Sequence, residues 1–227
     1  CVALVVLAPE TVDVARGARP SRQRLSVPPE IRGVFVSAAT AGFAGFAVLG
    51  LFTAISPRIV SEVLAEPNRA VAGLVVFLLL GSSTVAQLAL RRAPTDGALL
   101  AGCVLLIVGI LLVGLATGAA LFPALVAGAV IAGVGQGLTF SKGLAAVQQR
   151  ADPTARAGIT STYFVVLYVA ISLPVVGVGA ASQAWGLVAA GVMFTGAVAV
   201  LAAVAAVTLL RRVPSGSGTP PTASRST

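Results

Sequence analysis

The chain has 227 residues, 57% of them apolar and only 10% charged, with a mean hydropathy of +1.01. So little polar surface excludes a water-soluble enzyme or binding module. The net charge of +8 could mark a phosphate binder, but the basic residues sit at the ends of apolar runs, where they orient spans and meet anionic headgroups; they indicate a lipid bilayer and no nucleic acid.

In chain order, residues 1–8 read as the last turns of a preceding transmembrane helix, an expectation supported by the absence of an initiator Met before Cys1. A lipidated Cys1 is the weaker alternative, because Val2 to Leu7 is an unbroken apolar run, and without basic residues before it that run is no secretory signal. Residues 9–32 form an Arg-rich linker containing Pro28-Pro29, a pair that cannot continue a helix. Apolar stretches follow at 33–56, 70–90, 97–117, 120–142, 157–181 and 186–210, each near the roughly 20 residues that cross a hydrocarbon core. Residues 33–212 are thus predicted to form an all-α six-helix transmembrane bundle. Residues 213–227, rich in Ser, Thr, Pro and Gly, are predicted to be a disordered tail. Cys103 lies alone inside a span, and without His or a Cys cluster the sequence predicts no disulfide, metal site or cofactor.

The charges sort by side. Arg16, Arg19, Arg22, Arg24, Arg32, Arg91, Arg92, Lys142, Arg150, Arg156, Arg211, Arg212 and Arg225 fall on one face of the predicted bundle, and only Arg58 and Arg69 on the other. The positive-inside rule makes the richer face cytoplasmic, so the linker and tail are predicted inside a cell inner or plasma membrane. Longer connections are expected near Pro57–Arg69 and Gly143–Arg156 and short ones at Arg91–Asp96 and Ser182–Trp185. That pattern is three spans repeated twice, and an odd number of spans requires the second copy to be inverted.

Several segments carry a family resemblance. Pro9-Glu10-Thr11, between an apolar run and a basic linker, resembles the segment after the sixth span of many major facilitator superfamily transporters. Gly133-Val134-Gly135-Gln136-Gly137 with the loop Gln149 to Gly158 resembles the tenth span and following loop of drug-efflux-like members, and Tyr168 to Gly177 their eleventh span. Together these cover nearly the whole chain. The family's charged loop between spans eight and nine is present only as Arg91-Arg92-Ala93-Pro94-Thr95-Asp96-Gly97, a reduced form. The resemblance implies the C-terminal half of a major facilitator fold that moves a small solute by alternating access, as in drug or metabolite efflux. No carboxylate lies inside a span, so proton coupling, if used, would belong to an N-terminal half.

The candidate solute path consists of uncharged polar and aromatic residues. Thr160, Phe164, Tyr168 and Ser172 recur every four residues as one helical stripe; Gln136 and Phe140 share a face of one span, and Ser83 and Gln87 share a face of another. In the resembled family the corresponding spans line the central cavity. Packing is the favoured role for Thr160, Ser172 and Ser83, since membrane Ser and Thr commonly bond to their own backbone or across to a neighbouring helix. Gln136 and Gln87 must face the bundle interior, because an unpaired amide in hydrocarbon costs several kcal/mol. Tyr163 is expected at the membrane interface, and Lys142 at a helix end with its stem reaching toward water.

The pairs Gly133/Gly137 and Gly114/Gly118 are predicted helix-packing sites. The glycine cluster is no phosphate loop, lacking both a preceding strand and the Lys-Ser/Thr ending. Pro123 and Pro174 are expected to kink their helices. An intramembrane enzyme is disfavoured by the lack of His and of buried carboxylates; a non-transporting scaffold or accessory subunit is the alternative.

Overall fold

The computed structural model describes residues 27–65 and 68–211, so the expected preceding span, most of the basic linker and the 213–227 tail lie outside the described residues. Within them the chain is helical and without strands. Six long helices follow in order: α1 (Arg32–Arg58), α2 (Arg69–Ala89), α3 (Thr95–Ala119), α4 (Phe122–Arg150), α5 (Arg156–Trp185) and α6 (Leu187–Leu210). A 3-10 turn at Pro29–Ile31 leads into α1, and a π turn at Ile59–Val63 follows it. All six are long and apolar enough to cross a membrane.

The outward faces agree with a lipid environment. Val104, Val108, Leu111 and Leu115 form an exposed apolar stripe on α3, and Phe77, Val85 and Leu88 stand out from α2. Such surfaces would drive association in water but match acyl chains. Successive short turns make the helices antiparallel, so Arg32, Arg91, Arg92, Arg150, Arg156 and Arg211 cluster at one end, called here the basic end, with Arg58 and Arg69 at the other.

The expected long loops are largely helix. α4 runs to Arg150 because Ala146 and Val147, beyond the expected end, are buried in a cluster with Ile31, Phe35 and Ile159. The α4–α5 link is thus residues 151–155, where the Thr154 hydroxyl and its backbone N–H (2.8 Å) donate to the Asp152 carboxylate and hold it below the usual carboxylate range. α1 likewise runs through Pro57, and α5 reaches Trp185 before Gly186, at φ +83°, reverses the chain in one residue. Loop length therefore carries no repeat signal here. Pro123 occupies the first turn of α4, where a missing N–H costs nothing, rather than kinking it. Pro174 does lie inside α5, buried, and leaves the Ala170 carbonyl without its helical donor.

α1 and α4 form the middle of the bundle. α4 packs on α3 and α2, α1 packs on α5 and α6, the two middle helices cross each other, and α3 meets α6. The α3–α4 contact is a backbone-to-backbone seam. A methyl on Gly109 would lie 2.5 Å from the Ala132 nitrogen, and one on Gly135 would lie 2.7 Å from the Leu106 nitrogen. On its α2 side, α4 presents Gly133 against the Leu79 carbonyl and Gly137 against the Ser83 carbonyl, both too close to admit a side chain. The second expected pair divides: Gly114 packs on Thr195, whereas Gly118 faces open space.

Filling the α2–α4 contact should separate the helices at a cost of about 1–3 kcal/mol or more. Gly137→Val is expected to lower the thermal unfolding midpoint of the detergent-solubilised chain by several degrees, with Gly118→Val leaving it within error. Equal midpoints for the two variants would show that the seam is not limiting.

Candidate functional site

Two of the predicted residue sets meet across α2 and α4. The Ser83 hydroxyl donates to Gln136 Oε1 at 2.6 Å, and Gln87 Nε2 donates to Ser83 Oγ at 3.2 Å. The contact exists because Gly137 lets α4 approach the α2 backbone at Ser83 itself. Ser83 and Gln136 are both buried, and Gln87 is half-buried. Of the two bonds expected for Ser83, to its own backbone or across to a neighbouring helix, the structure has the second.

One turn further along α4, Phe140 begins an aromatic run. Its ring lies 5.4 Å from Phe46 of α1 and 6.1 Å from Phe164 of α5; Phe164 continues to Tyr163 (6.5 Å), and Tyr163 to Phe35 (6.3 Å), edge to face. Phe46, Phe140 and Phe164 are half-buried, so three helices each contribute a partly exposed ring to one aromatic contact. Thr160 adjoins them and accepts from Gln148 Nε2 at 3.5 Å. The outer half of the expected α5 stripe stands apart. Tyr168 is 66% exposed, and exposed Ser172 donates to the Tyr168 carbonyl.

Sequence reasoning missed the α1 contribution. α1 is the most buried helix, yet Thr40, Phe43, Phe46 and Thr53 leave one face partly open. Both threonines donate to carbonyls one turn back. The spacing of Thr40, Phe43, Phe46 and Thr53, by three, three and seven residues, was available as a signal, but the surrounding apolar run hides it.

Two expectations need correction. Tyr163 is no interface anchor: it is fully buried, wedged between α1 and α4, where neither Gly42 nor Gly143 leaves room for a side chain beside its hydroxyl, and that hydroxyl has no hydrogen-bond partner among the described residues. Lys142 does not reach toward water. It sits eight residues before the end of α4, 5% exposed, and its ammonium donates to the Arg91 carbonyl (3.0 Å) and the Ala93 carbonyl (2.8 Å). A buried ammonium needs such partners, and the end of α2 with its turn supplies carbonyls that lack helical donors.

A separate cleft of about 910 Å³ opens at the basic end between α1, α3, α4 and α6, with Ser37, Asp96, Leu99, Arg150 and Leu209 among its lining residues. None of the predicted path residues lines it. No group of residues with metal-ligand character occurs among the described residues. No protein-family model matches the chain, and no curated protein matches it either.

Lys142→Met removes two charge-assisted hydrogen bonds, each contributing about 1.5–3 kcal/mol. Trypsin cleavage after Arg91 or Arg92 should then become at least ~10-fold faster; an unchanged rate would mean packing alone holds that turn. Tyr163→Phe removes an unpartnered buried hydroxyl whose burial costs about 1–3 kcal/mol. The thermal midpoint should rise, and a fall would reveal a partner for the hydroxyl.

Proposed function

We propose that the chain is a six-helix half of a major-facilitator-like transporter, the C-terminal one, that carries a small neutral or lipophilic solute across a membrane by alternating access. The observation that carries this reading is the contact where α1, α4 and α5 bring half-buried Phe46, Phe140 and Phe164 together on the α4 face that also carries the Gln87–Ser83–Gln136 chain. These are the elements corresponding to the cavity-lining spans of the family that the sequence resembles. Aromatic surface with a few polar groups and no charge suits an uncharged solute.

Helix packing supports the two-repeat part of the proposal. Taking α1–α3 and α4–α6 as the repeats, each first helix packs on the second helix of the other repeat, the two first helices cross, and the two third helices meet. An inverted pair of three-helix units produces these relations. The arginine-rich end would face the cytoplasm.

Transport is testable with the full-length protein in proteoliposomes, using a lipophilic cationic dye and a neutral dye of similar size as probes. Gln136→Ala and Phe140→Ala are each expected to reduce uptake of the neutral dye by roughly 10-fold, as loss of a recognition contact of about 1.4 kcal/mol would do. Tyr168→Ala, away from the cluster, should have a smaller effect. Unchanged kinetics in both Gln136→Ala and Phe140→Ala would remove this face as the path.

A further inference from the structure

The lengths of the two bonds in the α2–α4 chain fix the direction of its protons. A 2.6 Å separation between Ser83 Oγ and Gln136 Oε1 suits O–H···O, and 3.2 Å between Gln87 Nε2 and Ser83 Oγ suits N–H···O. Protons thus run from Gln87 to Ser83 to Gln136, and the single Ser83 proton is spent on Oε1. Both protons of Gln136 Nε2 are left over. Among the described residues that nitrogen donates no hydrogen bond, although Gln136 is only 5% exposed. The sealed, unpartnered side-chain atoms are Ser37 Oγ, Ser56 Oγ and Tyr163 OH. Gln136 Nε2 is not one of them, so it keeps a path of approach.

We infer that Gln136 Nε2 is the donor of a binding site for neutral lipophilic aryl carbonyl compounds, with the Phe46, Phe140 and Phe164 rings taking the aryl body. This rests on the solute path proposed above and names what that path selects. An amide N–H pair left bare in an apolar interior costs free energy that an acceptor oxygen recovers. The Gln87–Ser83 chain also polarises the Gln136 amide and strengthens its N–H groups as donors. A hydrocarbon ligand would leave the donors bare. A carboxylate would have to shed its hydration, and the one ammonium of α4, on Lys142, is directed away from the rings toward the Arg91 and Ala93 carbonyls of the α2–α3 turn. The neutral carbonyl remains. Phe140 lies four residues from Gln136, about 6 Å along the helix, which matches the distance from a carbonyl oxygen to the far edge of an attached ring.

The test uses the full chain in phosphatidylcholine nanodiscs with benzophenone as photolabel and two competitors sharing one planar frame, fluorenone with a C=O and fluorene with a CH₂. Saturable labelling should map to α1, α4 and α5, and fluorenone should compete about 3- to 10-fold better than fluorene, the range one hydrogen bond supplies. In Gln136→Met that ratio should fall to about one. Ser83→Ala, which releases the amide from its fixed orientation and serves should Gln136→Met misfold, should reduce it as well. Phe140→Ala should weaken both competitors alike and keep their ratio. Equal competition on the parent chain, or a ratio that survives Gln136→Met, would overturn the donor site while leaving the solute path standing. Labelling that never saturates would overturn the path itself, and the inference with it.

Discussion

Close approach of α4 to its neighbours is the constraint on which the bundle depends. In lipid the hydrophobic effect does not draw helices together, so association relies on van der Waals contact and hydrogen bonds, and both require short interhelical distances. α4 achieves this on two sides with missing side chains. Gly133 and Gly137 admit the α2 backbone; Gly135, with Gly102 and Gly109 opposite, admits α3. Everything polar at the centre follows from that spacing. With α4 further away, the Ser83 hydroxyl would turn back to a carbonyl of its own helix and Gln136 would lose its partner.

The polar groups of the interior are few and unequally served. Most hydroxyls donate to a carbonyl three or four residues back, as Thr117, Thr139 and Ser141 do. Lys142 is held by two carbonyls of the α2–α3 turn, so a single charge ties α4 to the end of α2. The three sealed hydroxyls and the spare Gln136 protons are exceptions. Groups of that kind are costly in a low-dielectric interior, which is why each marks a place where a second arrangement or a ligand has something to gain.

Much of the architecture was legible because bilayer thickness imposes a length on apolar runs, and six runs of that length became six helices. Their ends were harder to read. Residues 143–150 look like loop because Gln148, Gln149 and Arg150 are polar, yet Ala146 and Val147 just before them are buried and hold the helix against α1. Of the candidate site, the amides were legible, since a Gln in hydrocarbon has to find a partner. Phe46 was not, because nothing in its residue type separates a ring facing a path from one facing lipid. Tyr163 was misplaced for a related reason. An amphipathic ring near a span end favours the interface, and only the paired gaps at Gly42 and Gly143, distant in sequence, create the slot that encloses it.

The single-residue reversal at Gly186 has a mechanical consequence. With no slack between them, α5 and α6 share a pivot at the end away from the basic cluster, so a tilt of α5 drags the start of α6 with it. The five residues of the α4–α5 link at the other end leave α5 freer of α4. A tilt of α5, which carries Phe164, would therefore be felt by α6 at the bundle's lipid boundary, coupling the surrounding bilayer to the aromatic contact with Phe140.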